Sequence, residues 1–144
     1  MATIRRIVCP TDFSPTSAKA VELAMDMARS FGADLLLVHV VPDITQPFRS
    51  FGMATAFPQL REELLARAAD SLRTLATKGT GITVRTKVLD GEVHTQVLDC
   101  AKREGADLVV IGTHGHTGLK HALLGSTAER VVRLAECPVL TVRG

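Results

Sequence analysis

Short runs of β-branched and aliphatic residues alternate with longer stretches of helical period along the whole chain. That alternation restricts the fold more than any other feature of the sequence. Ile4-Arg5-Arg6-Ile7-Val8-Cys9 reads as a first strand, closed by Pro10-Thr11-Asp12-Phe13. Ser14 stands where an N-cap is wanted, with Pro15 at the first helical position. Ala18, Val21, Met25 and Ala28 share one face of the helix that follows, and Gly32 marks its end. Leu35-Leu36-Leu37-Val38-His39-Val40 is nearly continuous in apolar character, as a strand covered on both faces must be. A second helix is predicted from Pro58 to Lys78, with Leu60, Leu64, Ala68, Leu72 and Leu75 as its stripe and Gly79 as its stop. Ile82 to Val88 alternates like an edge strand, and Asp90-Gly91 makes a turn. Val93, Val97, Leu98 and Ala101 line a third helix ended by Gly105, and Asp107 to Gly112 is a further buried strand. A last helix from Ser126 leads into Pro138-Val139-Leu140-Thr141-Val142.

This order implies a parallel sheet with helices on both faces and right-handed crossovers. The length of 144 residues suits one domain, with no linker, repeat or low-complexity segment, so residues 1–144 are read as one unit. Ligands of such sheets bind beyond the carboxyl ends of the strands, where strand order reverses. Residues 10–14 and the segment from Gly112 onward are therefore expected to meet there.

Composition narrows the function classes. A net charge of +2 is no argument for nucleic acid, and aromatics at 3%, all Phe, make a base-stacking platform improbable. Cys9, Cys100 and Cys137 are odd in number, far apart and without a C-x-x-C pair, which fits a reducing compartment rather than a disulfide or thiolate zinc framework. No apolar stretch approaches the roughly 20 residues of a membrane span, and residues 1–6 lack the apolar core of a signal peptide. A cytoplasmic protein with no membrane association is expected. Residues 41–57 interrupt the rhythm with Pro42, Pro47, Phe48, Phe51 and Phe57. An Ω-loop packed on its own Phe residues is weighed there against a ligand lid.

The stretch Gly112-Thr113-His114-Gly115-His116-Thr117-Gly118-Leu119-Lys120-His121-Ala122-Leu123-Leu124-Gly125-Ser126-Thr127 leaves a strand, crosses a glycine-rich loop and enters a helix. Glycine lets backbone N–H groups approach an anion closely, and a helix N-terminus adds free donors and partial positive charge. Ser126 and Thr127 add hydroxyls. The plainer reading is that Ser126-Thr127-Ala128-Glu129 is a capping box and that the glycines only shape turns. His114, His116 and His121 have no nearby Cys or carboxylate to complete a metal site, and read as solvated loop residues. The patterns G-x-x-x-x-G-K-S/T and G-x-G-x-x-G are both absent.

The spacing Gly112-x-x-Gly115, nine residues, then Gly125-Ser126 resembles the G-2x-G-9x-G-S/T signature of universal stress proteins. Pro10-Thr11-Asp12-x-Ser14 and Cys137-Pro138-Val139-Leu140-Thr141-Val142 fit the same family, so the resemblance covers the whole chain. It implies an α/β three-layer sandwich with a five-stranded parallel sheet in the order 3-2-1-4-5. The intact glycine signature resembles the ATP-binding branch. By that resemblance Pro10, Thr11 and Asp12 lie against adenine and ribose, and the backbone of Val40 reads the adenine edge. Ile111 and Gly112 face the nucleoside, while Gly115, Gly125, Ser126 and Thr127 cradle the phosphates, with His114 beside them. Asp12 either accepts from a ribose hydroxyl or holds a metal-bound water. The cofactor expected is ATP with Mg²⁺ or Mn²⁺.

The leading expectation is a nucleotide-dependent stress-response module, with a slow ATPase or a nucleotide-independent interaction module as alternatives. Asp12 and His114 are the only nearby candidates for handling an attacking water, and neither stands in a recognised catalytic arrangement, so hydrolysis is expected to be slow or absent. No residue is assigned as catalytic, and no resident metal site is expected. A protein partner of unknown kind is allowed for. The apolar strand Val139–Val142 is expected at a sheet edge, where antiparallel pairing of two copies would cover it as a homodimer. Leu140→Pro is expected to weaken that pairing by removing a ladder donor.

Overall fold

Among the described residues of the computed structural model, nine strands and α-helices follow one another in alternation: β1 (Arg6–Pro10), α1 (Pro15–Phe31), β2 (Asp34–Val41), α2 (Pro58–Ala76), β3 (Val84–Asp90), α3 (Val93–Glu104), β4 (Leu108–Gly112), α4 (Ser126–Leu134) and β5 (Val139–Val142). The structure describes residues 3–45, 47, 51–52, 58–114 and 124–144. The strands form one sheet in the order β3-β2-β1-β4-β5, and every neighbouring pair is parallel. The expected α/β fold and strand order are those observed.

Each face of the sheet carries its own core. Ile7, Cys9, Leu35, Leu37, Leu108 and Val110 pack against Ala20, Ala24 and Ala28 of α1 and Leu72 of α2. Val8, Leu36, Val38, Val40, Val109 and Ile111 pack against Val97 and Ala101 of α3 and Val131 of α4. The central strands are therefore apolar at successive positions, while β3 at one edge alternates. The run of alanines on α1 lets that helix lie close to the sheet.

The helix ends follow their local chemistry. Ser14, in extended conformation, accepts the N–H of Ser17 and caps α1, with Pro15 next. Gly32 and Gly105 end α1 and α3 with φ of 63°, a left-handed cap that glycine adopts without steric cost.

Several expectations are corrected. Ala18 is exposed, and Ala20 and Ala24 take the place assigned to it, because the buried face centres one residue further round the helix. Leu60 is 46% exposed, so the buried stripe of α2 begins further along, and the helix ends at Ala76, before Lys78. β1 and β3 are both shifted towards their carboxyl ends, to Arg6–Pro10 and Val84–Asp90, so Asp90 closes a strand rather than forming a turn. Ser126 is not an N-cap. Gly125 occupies that position with no side-chain cap, so the capping box does not form.

β5 is an edge strand. The carbonyls of Pro138 and Val142 accept from Val109 and Thr113. Since backbone groups alternate sides along a strand, Leu140 also points to β4, and Val139 and Thr141 point outward. Leu140→Pro would thus damage the ladder within the chain. The outward donors are the N–H groups of Val139 and Thr141.

Candidate functional site

At the carboxyl ends of β1, β2 and β4 the chain leaves a cleft of about 420 Å³. It lies where β1 passes to α1 on one side and β4 passes towards α4 on the other. Of the residues picked from sequence, Pro10, Thr11, Asp12, Val40, Ile111, Gly112, His114, Gly125, Ser126 and Thr127 all line it. Gly115, with His116, Lys120 and His121, lies outside the described residues, as do Phe48 and Phe57 of the long connection after β2.

The β1–α1 turn is built from short hydroxyl contacts. Thr11, Ser14 and Ser17 are buried, with Thr11 Oγ1 and Ser17 Oγ 2.9 Å apart and Ser14 Oγ donating to Ser17 Oγ at 3.2 Å. Ser17 Oγ also donates to the Ser14 carbonyl at 3.0 Å. These hydroxyls satisfy one another, so they shape the turn. Asp12 Oδ1 accepts the N–H of Ser14 at 3.0 Å, which holds the carboxylate at the cleft wall.

Val40 presents its backbone. The carbonyl of Val38 accepts from Thr11 and that of Val41 from Gly91, beyond the end of β3. By alternation the N–H and C=O of Val40 point to the β1 side, and the register of β1 ends at Pro10 opposite Val38. A donor and an acceptor in one plane therefore face the cleft. Val40, Val93, Ile111 and Ala128 supply apolar wall beside them.

A further part of the cleft wall is the start of α4. Ser126, Thr127 and Ala128 are its first three residues, whose N–H groups have no acceptor one turn earlier in the helix. Gly125 donates its N–H to the carbonyl of Thr113, and a Cβ on Gly125 would stand 3.0 Å from that oxygen. The two ends of the connection between β4 and α4 are thus pinned together, which brings the α4 N-terminus to the end of β4. Gly112 serves packing: a Cβ there would meet Thr16 Cγ2 at 3.1 Å and the Thr16 carbonyl at 3.3 Å. His114 Nδ1 lies 3.0 Å from Thr113 Oγ1.

Sequence reasoning missed Ser17, His39, Pro42, Val93, Thr113 and Ala128, which also line the cleft. Val93 and Thr113 carried a signal, since each stands at the end of a loop or strand on the ligand side of a parallel sheet. No cysteine lines the cleft. Burial pushes the Cys9 thiol up to about 12 and also raises Cys100 and Cys137. No described helix is long and apolar enough to cross a membrane.

Residues 3–143 match the model of the universal stress protein family. Universal stress protein MJ0531 of Methanocaldococcus jannaschii is 35% identical over 141 residues, covering 96% of this chain and 82% of that protein. The solved universal stress protein UspA of Lactobacillus plantarum superposes with a TM-score of 0.83 at 25% identity, covering 99% of this chain and all of that one. The universal stress protein of Archaeoglobus fulgidus, solved in complex with dAMP, has the same fold, with a TM-score of 0.62 at 22% identity and 99% coverage of both chains. A family match that begins ahead of β1 and runs past β5, on a sheet of this order, leaves one conclusion: the chain belongs to the universal stress protein family.

Proposed function

We propose that the cleft binds an adenine nucleotide, ATP with Mg²⁺ or Mn²⁺, and that the protein serves as a nucleotide-dependent regulatory module in a stress response. One observation carries the reading. The α4 N-terminus, with the hydroxyls of Ser126 and Thr127, lines the same cleft as the outward backbone edge of Val40 and the carboxylate of Asp12. Free helix N–H groups suit phosphate oxygens. A neighbouring N–H and C=O match the N1 acceptor and N6 donor of adenine, and a carboxylate suits a ribose hydroxyl. The dAMP held by the relative from Archaeoglobus fulgidus supports the same class of ligand.

The donor set fits ATP and limits the metal. Asp12 is the one carboxylate among the described residues that line the cleft, and no group of three His, Cys, Asp or Glu among the described residues could hold an ion. A divalent ion would be held chiefly by the nucleotide's own phosphates, with Asp12 at most adding a bound water. ATP acts here as a ligand rather than as a substrate turned over rapidly. Two copies pair antiparallel through Val139–Val142, where the outward groups of Val139 and Thr141 supply the ladder.

Calorimetric titration of Mg·ATP into wild type and Ser126→Asp tests the reading. A carboxylate at the first residue of α4 favours the helix dipole yet repels phosphate, so stability should hold while affinity falls by about tenfold or more. Replacing ATP with GTP should cost roughly 1–3 kcal/mol, because the guanine edge presents an acceptor where adenine presents a donor. Equal ATP affinity in the folded Ser126→Asp variant would overturn the assignment.

A further inference from the structure

His39 is half-buried near the end of β2 and lines the cleft. Its Nδ1 lies 2.7 Å from the carbonyl oxygen of Thr11. A carbonyl oxygen only accepts, so Nδ1 carries the proton and donates. The N–H of Thr11 donates in turn to the Val38 carbonyl at 2.8 Å. Both backbone groups of Thr11 are therefore held by consecutive residues of β2, just past Pro10 where the β1–β2 register ends. Without these bonds the two strands would be free to splay at the mouth of the cleft.

Phe13 is held by the same ring. It has a φ of 63°, the left-handed region that a bulky side chain seldom adopts. It is 38% exposed, so burial alone does not impose that conformation. Its ring centroid lies 4.7 Å from that of His39, and its N–H donates to Thr11 Oγ1 at 3.0 Å. Asp12 thus sits between two residues that both touch the His39 imidazole, and Val40 is the residue after His39 in the chain.

We infer that His39 is a positioning residue: by tying the Thr11 carbonyl and the Phe13 ring to the end of β2, it sets the spacing between the Asp12 carboxylate and the Val40 backbone edge. That spacing selects a ligand carrying a base edge and a sugar hydroxyl together, a nucleoside rather than a free base or a free polyphosphate. The inference rests on the nucleotide reading, and its test separates the two.

The wild-type protein, His39→Leu and His39→Asn are titrated with Mg·ATP and followed by amide hydrogen exchange without ligand. Leucine keeps apolar bulk and loses the donor. Asparagine returns an N–H at the same number of bonds from the backbone. His39→Leu should weaken ATP binding about tenfold, and His39→Asn should stay within about threefold of wild type, as the loss and rescue of one hydrogen bond predict. Exchange at Phe13 and Ser14 should quicken in His39→Leu and return towards the wild-type rate in His39→Asn. Wild-type affinity in His39→Leu, equal losses in both variants, or unchanged exchange would each overturn the inference. The wild type alone gives a third readout, in which nitrogen shifts of the neutral His39 ring should show Nδ1 protonated; the opposite tautomer overturns the tie even where a variant fails to fold. If the wild type binds no ATP, the nucleotide reading fails, and exchange with the ring tautomer still decides whether His39 holds the turn.

Discussion

Cys9 shows how far one side chain's environment departs from what its type suggests. It is fully buried on β1, and desolvation moves its thiol from 9.0 to about 12. The unfolded thiol ionises from about pH 9 while the folded one stays protonated. Stability from this group is therefore intact below pH 9 and falls as pH rises towards 12, by about 1.4 kcal/mol per pH unit. Urea unfolding of wild type and Cys9→Ala at pH 8 and pH 10 should show the wild type losing more on the alkaline step, by roughly 1 kcal/mol. Equal losses would mean that the thiol is hydrated in the folded state. Other residue roles were visible in the sequence because they depend on near neighbours. The Ser14 cap with Pro15 is of this kind, as are the Gly32 and Gly105 stops. His39 was not visible, since its partners Thr11 and Phe13 come from another strand and the turn beyond it.

Among the elements, the contact of α1 with β4 makes the sharpest demand on one position. Gly112 ends β4 against the first turn of α1, where a Cβ would stand only 3.1 Å from Thr16 Cγ2 and 3.3 Å from the Thr16 carbonyl. Gly112→Ala should destabilise the protein by roughly 1–3 kcal/mol, measured by chemical denaturation, because the Thr16 carbonyl beside the new Cβ belongs to the helix backbone and cannot withdraw without moving it. Adding Thr16→Ala should recover part of the loss, since the nearest atom, Thr16 Cγ2 at 3.1 Å, is then gone. Full additivity of the two changes would place the strain elsewhere. In the sequence this glycine reads as part of a phosphate motif, and its packing role shows only once α1 is laid over the sheet. The same limit explains Ser126. Its spacing to Glu129 satisfies the capping pattern, yet the tie between Gly125 and Thr113 sets where α4 begins and puts Gly125 in the cap. Hydrophobic period located the strands and α-helices of the described residues. It misjudged Ala18 and Leu60 because a stripe wider than the buried face has no internal mark of where cover stops.

For the whole molecule, the sheet has two unlike edges. β3 alternates and carries the exposed charges of Arg85 and Lys87, which discourage pairing, whereas the four residues of β5 are apolar or β-branched and half-buried. Thr141→Pro removes an outward N–H and leaves the bonds to β4 in place, so it should shift a dimer towards monomer in sedimentation at micromolar concentration while the unfolding midpoint of the monomer holds. A wild type that sediments as a monomer would show that β5 is not a pairing edge. The order β3-β2-β1-β4-β5 also decides where recognition can sit, since the reversal of direction at β1 opens the cleft between its two flanking connections. At that cleft the bond from Gly125 to Thr113 joins the two ends of residues 114–124. A connection whose ends are already joined tolerates a change of length at low entropic cost. Doubling its length costs only about 0.6 kcal/mol of closure entropy. That connection is accordingly an exchangeable part: a lineage can rewrite or enlarge it while the sheet is inherited unchanged.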